Sequence, residues 1–229
     1  FDCFPDGSRV LGGAPFNVAW HLQGLGAAPL FVSAVGADVP GQEILDRMTA
    51  WGMDGRGMQR HAEHPTGQVQ VKPGPAYDIL PEQAYDEILP ATVPAAALAG
   101  CGLFYHGSLA LRTPAARARL LAWRERLGLP VFVDINIRPP WFDPAWLPEL
   151  VEGIHCLKLN DEELAGLMGE SVPTPEAALI PAERLRERHG MTHVVVTCGA
   201  GGAALLGPRG GTHLAPAPAP RDFVDSVGA

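Results

Sequence analysis

Hydrophobic positions along the chain fall into short blocks, and their period switches between that of a buried strand and that of a helix. Residues 29–35, 103–106, 131–135, 156–159 and 193–197 are apolar runs of strand length, several of them rich in β-branched side chains. The spacing between these runs is helical. Val18, Leu22 and Leu25 fall on one helical face, with Gly26 placed to end that helix. Ile44, Leu45, Met48 and Trp51 repeat the pattern, with Gly52 as the C-cap. Thr113-Pro114 offers an N-cap followed by proline at the first helical position, and the helix it opens is predicted to reach Leu127. Residues 66–71 and 76–79 alternate instead, with Pro-Gly between them, which predicts a β-hairpin projecting from the core. Residues 1–4 read as the tail of a first strand and residues 203–206 as a strand after a glycine turn. The Pro/Ala run 215–220 reads as the lead-in to a final edge strand. Strands alternating with amphipathic helices predict a mostly parallel sheet with helices on both faces. In such sheets ligands bind beyond the C-terminal ends of the strands. That rule points to residues 134–138, to Asn160 and to residues 197–202.

Composition narrows the class. The chain has 229 residues, 47% hydrophobic and 18% charged, enough for one α/β domain over residues 1–229 with a substantial core. A formal net charge of -8 gives no basic footprint for nucleic acid or an anionic membrane. Lys72 and Lys158 are the only lysines, and there is no Gly-x-x-x-x-Gly-Lys-Ser/Thr run, which excludes a P-loop. A Gly-x-Gly-x-x-Gly turn after the first strand, the sign of a nicotinamide enzyme, is also absent. Cys3, Cys101, Cys156 and Cys198 show neither Cys-x-x-Cys pairing nor zinc spacing, and read as reduced, buried cysteines of a cytoplasmic protein. No apolar run is long enough to span a bilayer.

The chemistry centres on Gly12-Gly13-Ala14-Pro15-Phe16-Asn17-Val18-Ala19. Two glycines let the backbone turn tightly and come close to a ligand, and Pro15 suits a first helical turn. A glycine turn that opens onto a helix presents free backbone N–H groups, here with Asn17 one turn in. This stretch resembles the N-terminal signature of the ribokinase-like PfkB carbohydrate kinases. The resemblance implies a ribokinase-like three-layer α/β sandwich with a mostly parallel central sheet. It also implies a small β-sheet lid formed by residues 3–11 and 66–80, through which a homodimer could assemble. Gly12, Gly13 and Asn17 would then hold sugar hydroxyls, and Asp2, at the end of the first strand, would accept hydrogen bonds from them. A plainer reading of Asp2 is an acid flanking a hairpin.

Further matches follow in order. Asp134-Ile135-Asn136-Ile137-Arg138 resembles the family's Asp-x-Asn-x-Arg pattern, whose Asn and Arg lie near the nucleotide phosphates and the substrate. Strand alternation would put Asp134, Asn136 and Arg138 on one side. A guanidinium is a natural phosphate partner there, although a structural Asp–Arg pair would also fit. Asn160 and Glu163 fit a capping box equally well as the family's Asn-x-x-Glu motif, which organises Mg²⁺ and its waters. Thr197-Cys198-Gly199-Ala200-Gly201-Gly202 resembles the turn whose Thr and glycines, here Thr197, Gly199 and Gly202, contact ATP. Asp225-Ser226-Val227-Gly228-Ala229 looks like the opening of the second signature, Asp-Thr-x-Gly-Ala-Gly-Asp, with Ser for Thr. Gly228 and Ala229 would begin the anion hole for the transferred phosphoryl group, and Asp225 would lie near a monovalent-cation site, K⁺ in some members. The family's general base is the final Asp, so the intact protein is expected to continue with Gly-Asp. Phe104-Tyr105-His106-Gly107-Ser108-Leu109-Ala110-Leu111-Arg112 is most like fructokinases. The expected activity is therefore transfer of the ATP γ-phosphoryl group to a free sugar, fructose first. A 2-keto-3-deoxygluconate or nucleoside kinase, or an inactive sugar-binding relative, are the alternatives.

Overall fold

The structure, a computed structural model, describes residues 1–72 and 77–219. Asp225, Gly228 and Ala229 lie outside the described residues. The chain divides into two compact units. One is built from Phe1–Cys101 and Thr113–Trp123, the other from Gly102–Arg112 and, among the described residues, 124–219.

The first unit contains β1 (Asp2–Cys3), β2 (Arg9–Val10), α1 (Ala14–Gly24), β3 (Ser33–Gly36), α2 (Val39–Ala50), β4 (Met58–His61), β5 (Val69–Val71), β6 (Tyr77–Ile79) and α3 (Ala95–Leu98). Four of these strands form a sheet in the order β2-β1-β5-β6. Asp2 pairs with Val10 on one side and, in parallel, with Val69 on the other. β3 and β4 form a separate parallel pair. Helix α1 buries Phe16 and Ala19 against Met48 of α2 and Met53, with Trp20, Phe31 and Ile44 packed around them. This corrects the predicted face, because Leu22 is 37% and Leu25 82% exposed. The aromatic rings of Phe16 and Trp20 bury more surface than the leucines would, and they set the rotation of the helix. Trp20 stacks on Trp51 with centroids 5.2 Å apart, and Trp51, expected in the core, stays 42% exposed. The strand expected over residues 29–35 is shortened to Ser33–Gly36, preceded by an isolated bridge at Leu30. Pro29, which cannot donate to a ladder, stands at its start.

Asp38 ties this unit together. Its carboxylate caps α2 through the Gly41 amide at 2.8 Å and takes the Thr66 amide at 2.9 Å and the Thr66 hydroxyl. Thr66 in turn accepts the Gly36 amide at 2.9 Å. Burial alone would raise the Asp38 carboxyl, but these hydrogen bonds outweigh it and hold the group below the usual aspartate range.

The second unit contains β7 (Phe104–Gly107), β8 (Val131–Asp134), α5 (Leu147–Val151), β9 (Cys156–Asn160), α6 (Asp161–Met168), α7 (Pro175–Arg188), β10 (His193–Thr197), β11 (Ala203–Leu206) and β12 (Thr212–Ala215). Helix α4 (Pro114–Leu127) begins among residues of the first unit and ends in the second. The sheet runs β12-β11-β10-β9-β8-β7, parallel from β7 to β10 and antiparallel beyond. Val133, Leu157, Leu159, Val194, Val196 and Ala204 are fully buried and alternate along their strands, which gives one apolar face. α6 packs on β9 and β10, and α7 on β10 and β11. Among the described residues β12 is an edge strand of this sheet and precedes the Pro/Ala run; the strand expected after that run lies outside the described residues. The chance of β12 to pair comes from the hairpin with β11, which the glycines at 207, 210 and 211 turn.

Candidate active site

In the first unit, Asp2 and the Gly12-Gly13 turn meet. A Cβ built on Gly12 would lie 2.0 Å from Asp2 Oδ2 and 2.8 Å from its Cγ, so the absent side chain is what lets the carboxylate close on this backbone. Gly13 is the N-cap of α1 at φ 104, a conformation that favours glycine. No side chain caps α1 there, and Pro15 lies in the first turn. The Asn17 amide donates to the Gly13 carbonyl at 2.9 Å, which places the Asn17 side chain one turn into the helix, partly exposed. A carboxylate and an uncapped helix N-terminus are thus grouped, with Asn17 one turn into the same helix, features suited to polyhydroxylated ligands. Burial holds the Asp2 carboxyl above its ordinary value.

In the second unit the parallel register lines up the strand ends. Gly107 pairs with Asp134, Asp134 with Lys158, and Asn160 with Thr197. Lys158 Nζ donates to both Asp134 oxygens at 3.1 and 3.2 Å, and Tyr105 OH donates to Oδ2 at 3.4 Å. Burial, reinforced by the Asp134 charge, keeps the Tyr105 phenol protonated far above its ordinary range. The role of Lys158 is set by this partner on the neighbouring strand, which no local sequence pattern names. The expected alternation through Arg138 stops at Asp134, because Asn136 turns to φ 42 and leaves the extended conformation. Ser108 Oγ donates to the Asn136 carbonyl at 3.4 Å, and Arg138 Nη1 to the Ile137 carbonyl at 2.9 Å. The Arg112 guanidinium lies over the Trp141 ring at 4.6 Å, docking the stretch after Arg138.

Asn160 and Glu163 form a reciprocal capping box at the start of α6. The Glu163 amide donates to Asn160 Oδ1 at 2.7 Å and the Asn160 amide to Glu163 Oε2 at 2.9 Å. Glu163 Oε1 takes the Ile137 amide at 2.6 Å. Gly199 has φ 50 and opens a short turn, and Gly202 has φ 104. A Cβ on Gly202 would meet the Ala215 carbonyl at 2.1 Å, so that glycine serves the β11–β12 packing as well as the turn. Asn160, Thr197, the glycine turn and the Asn136 turn therefore share the C-terminal edge of this sheet, where α/β sheets take ligands.

The residues suit Mg²⁺ only in part. Asn160 and Glu163 offer hard oxygens, but each already accepts backbone N–H groups. Among the described residues no group of three or more His, Cys, Asp or Glu could hold a metal ion. They fit an ion brought by nucleotide phosphates and reached through water, not a protein cage.

Residues 4–229 match the model of the pfkB family carbohydrate kinases, and the chain belongs to that family. It is an ATP-dependent carbohydrate kinase with the ribokinase-like α/β fold. Among solved structures it is similar to the fructokinase of Vibrio cholerae O395 in its fructose-, ADP- and calcium-bound form. The two are 24% identical, with a TM-score of 0.80, over 96% of this chain and 74% of that one. Aminoimidazole riboside kinase from Salmonella enterica, complexed with aminoimidazole riboside and an ATP analog, is 22% identical with a TM-score of 0.77. That match spans 99% of this chain and 76% of the other. A sugar kinase of Pyrococcus horikoshii in complex with ATP is 19% identical with a TM-score of 0.77, over 96% and 75% of the two chains. No curated protein matches. No helix among the described residues is long and apolar enough to cross a membrane.

Proposed function

We propose that this kinase transfers the γ-phosphoryl group of ATP to a hydroxyl of a free sugar, with fructose the first candidate. The observation that carries the reading is the closure of the Asp2 carboxylate on Gly12 beside the uncapped start of α1. A half-buried carboxylate accepts sugar hydroxyls, and the helix N-terminus and Asn17 offer complementary groups. Asp2, Gly12, Gly13, Asn17 and Arg138 are the proposed substrate residues, with Arg138 toward the phosphates. Asn136, Asn160, Thr197, Gly199 and Gly202 are the proposed nucleotide residues. Phosphoryl transfer needs positioning and charge stabilisation more than covalent chemistry, and a guanidinium supplies both. Mg²⁺ is the proposed metal, held through water by Asn160 and Glu163, and it would neutralise phosphate charge. The anion hole is proposed to begin at Gly228 and Ala229, with K⁺ near Asp225. A nucleoside acceptor is the second reading, supported by the likeness to the aminoimidazole riboside kinase. We further propose a cytoplasmic location and a homodimer through the β2-β1-β5-β6 sheet, whose edge strand β2 is exposed at both residues.

A coupled ADP-release screen of the full-length protein over fructose, ribose, 2-keto-3-deoxygluconate and adenosine tests the proposal. Turnover with fructose at the highest kcat/KM supports it. Preference for adenosine selects the second reading, and no turnover with any of the four overturns both.

A further inference from the structure

Glu163 does more than cap a helix. A cap needs its carboxylate only at the Asn160 amide, which Oε2 already takes at 2.9 Å. Oε1 reaches instead to the Ile137 amide at 2.6 Å, 26 residues earlier in the chain and beyond the end of β8. Glu163 is buried, 8% exposed, and its carboxylate accepts two backbone amides. The turn it grips is unusual. Asn136 sits at φ 42, a conformation that persists in a non-glycine residue when its surroundings hold it. Three hydrogen bonds surround it. The Ile135 amide donates to the Lys158 carbonyl at 3.0 Å, Ser108 reaches the Asn136 carbonyl at 3.4 Å, and Glu163 takes the next amide. The peptide that follows Ile137 carries Arg138, whose guanidinium folds back to the Ile137 carbonyl at 2.9 Å.

We infer that Glu163 is a positioning residue: its carboxylate bridges the start of α6 to the Ile137 amide and so fixes the turn that presents Asn136 and Arg138. This rests on the proposed role of Arg138 toward the phosphates and adds to any contact of Glu163 with metal-bound water.

Glu163→Gln keeps the length of the side chain but replaces one acceptor oxygen with an NH₂ group, which cannot accept from an amide. Glu163→Asp keeps the charge on a shorter stem that cannot span both amides. Both variants are made in the full-length protein and measured three ways: hydrogen exchange at the Ile137 amide, thermal melting, and steady-state kinetics across a Mg²⁺ titration. The expected result is roughly tenfold or faster exchange at Ile137 and a roughly tenfold or larger fall in kcat/KM, the loss of one charge-assisted hydrogen bond. Saturating Mg²⁺ leaves that fall in place. Full recovery at high Mg²⁺ would overturn the inference in favour of a metal role alone. Lower melting with unchanged kinetics would reduce Glu163 to a cap and also overturn it. Should the glutamine variant fail to fold, the aspartate variant carries the same three readouts. The exchange arm needs no substrate, so protection of Ile137 that survives both substitutions refutes the bridge whatever the acceptor sugar is. Loss of that protection with no fructose turnover in the parent protein would fault the proposed substrate instead.

Discussion

Gly12→Ala isolates the contact on which the sugar assignment depends. The added methyl would stand 2.0 Å from Asp2 Oδ2 and 2.8 Å from Cγ, against ordinary van der Waals contact at 3.4–4 Å. The carboxylate must therefore withdraw by more than about 1 Å, and a hydrogen bond stretched that far is lost. A bond to a charged acceptor contributes about 1.5–3 kcal/mol, so kcat/KM for the sugar should fall roughly ten- to hundredfold. The fold should survive. Gly12 does not carry a positive φ, so alanine strains no backbone dihedral there and the displacement falls on the Asp2 side chain. The assay is coupled ADP release with sugar varied at saturating ATP, beside a melting curve. In an Asp2→Ala background the Gly12→Ala effect should shrink to within about twofold, because the group it displaces is gone. A sugar kcat/KM within twofold of the parent in the single variant, or an undiminished loss in the double variant, would refute the reasoning.

Other outcomes follow from the same geometry. Asn17→Ala should raise the sugar KM by roughly tenfold to a hundredfold and leave the ATP KM unchanged, the cost of about one to two hydrogen bonds; equal shifts in both would contradict it. Thr66→Val leaves the Gly36 amide without its acceptor and Asp38 without a hydroxyl donor, so urea unfolding should show a loss of about 1–3 kcal/mol. Because the folded Asp38 carboxyl is depressed, its contribution is complete above about pH 4 and is lost as pH falls through the lower folded value; Thr66→Val should weaken that acid dependence. His106 acts in the same sense but at higher pH, since burial first, with the Arg124 charge adding and the Gly107 carbonyl opposing, lowers it to about 4. Its Nε2 has no hydrogen-bond partner among the described residues. The unfolded chain binds the proton that the folded chain refuses, so stability should fall by about 2 kcal/mol between pH 7 and pH 5. His106→Leu should flatten that slope in urea titrations at the two pH values; an unchanged slope would assign it to other groups.

Legibility in the sequence followed the range of the forces involved. The strand cores at 131–135, 156–159 and 193–197 were readable because a run of branched apolar residues buried on a parallel sheet needs no knowledge of its partner. β4 was not, since Met58, Gln59, Arg60 and His61 show no period and are strand only because β3 pairs with them. The rotation of α1 was misread because three leucine-type positions count equally in a pattern, whereas Phe16 and Trp20 weigh more in a core. The capping box of Asn160 and Glu163 was visible as a three-residue spacing; the third bond, to Ile137, was not, because it joins residues 26 apart. Asn136 broke the strand alternation for the same reason, held out of line by contacts from Ser108 and Lys158 that a local pattern does not contain. The approach of Asp2 to Gly12 was reached only through the family resemblance, since nothing in a Gly-Gly pair names the carboxylate that will cover it.

The first unit is proposed to hold the sugar, and the strand ends of the second the nucleotide. The most direct measurement is a crystal structure of the full-length protein with fructose and a non-hydrolysable ATP analogue. The account predicts fructose hydroxyls within hydrogen-bond distance of the Asp2 carboxylate and the Asn17 carboxamide, with phosphate oxygens on Arg138 and the nucleotide against Thr197 and Gly199. A sugar bound with neither Asp2 nor Asn17 among its contacts, or a nucleotide away from Thr197 and Arg138, would contradict it.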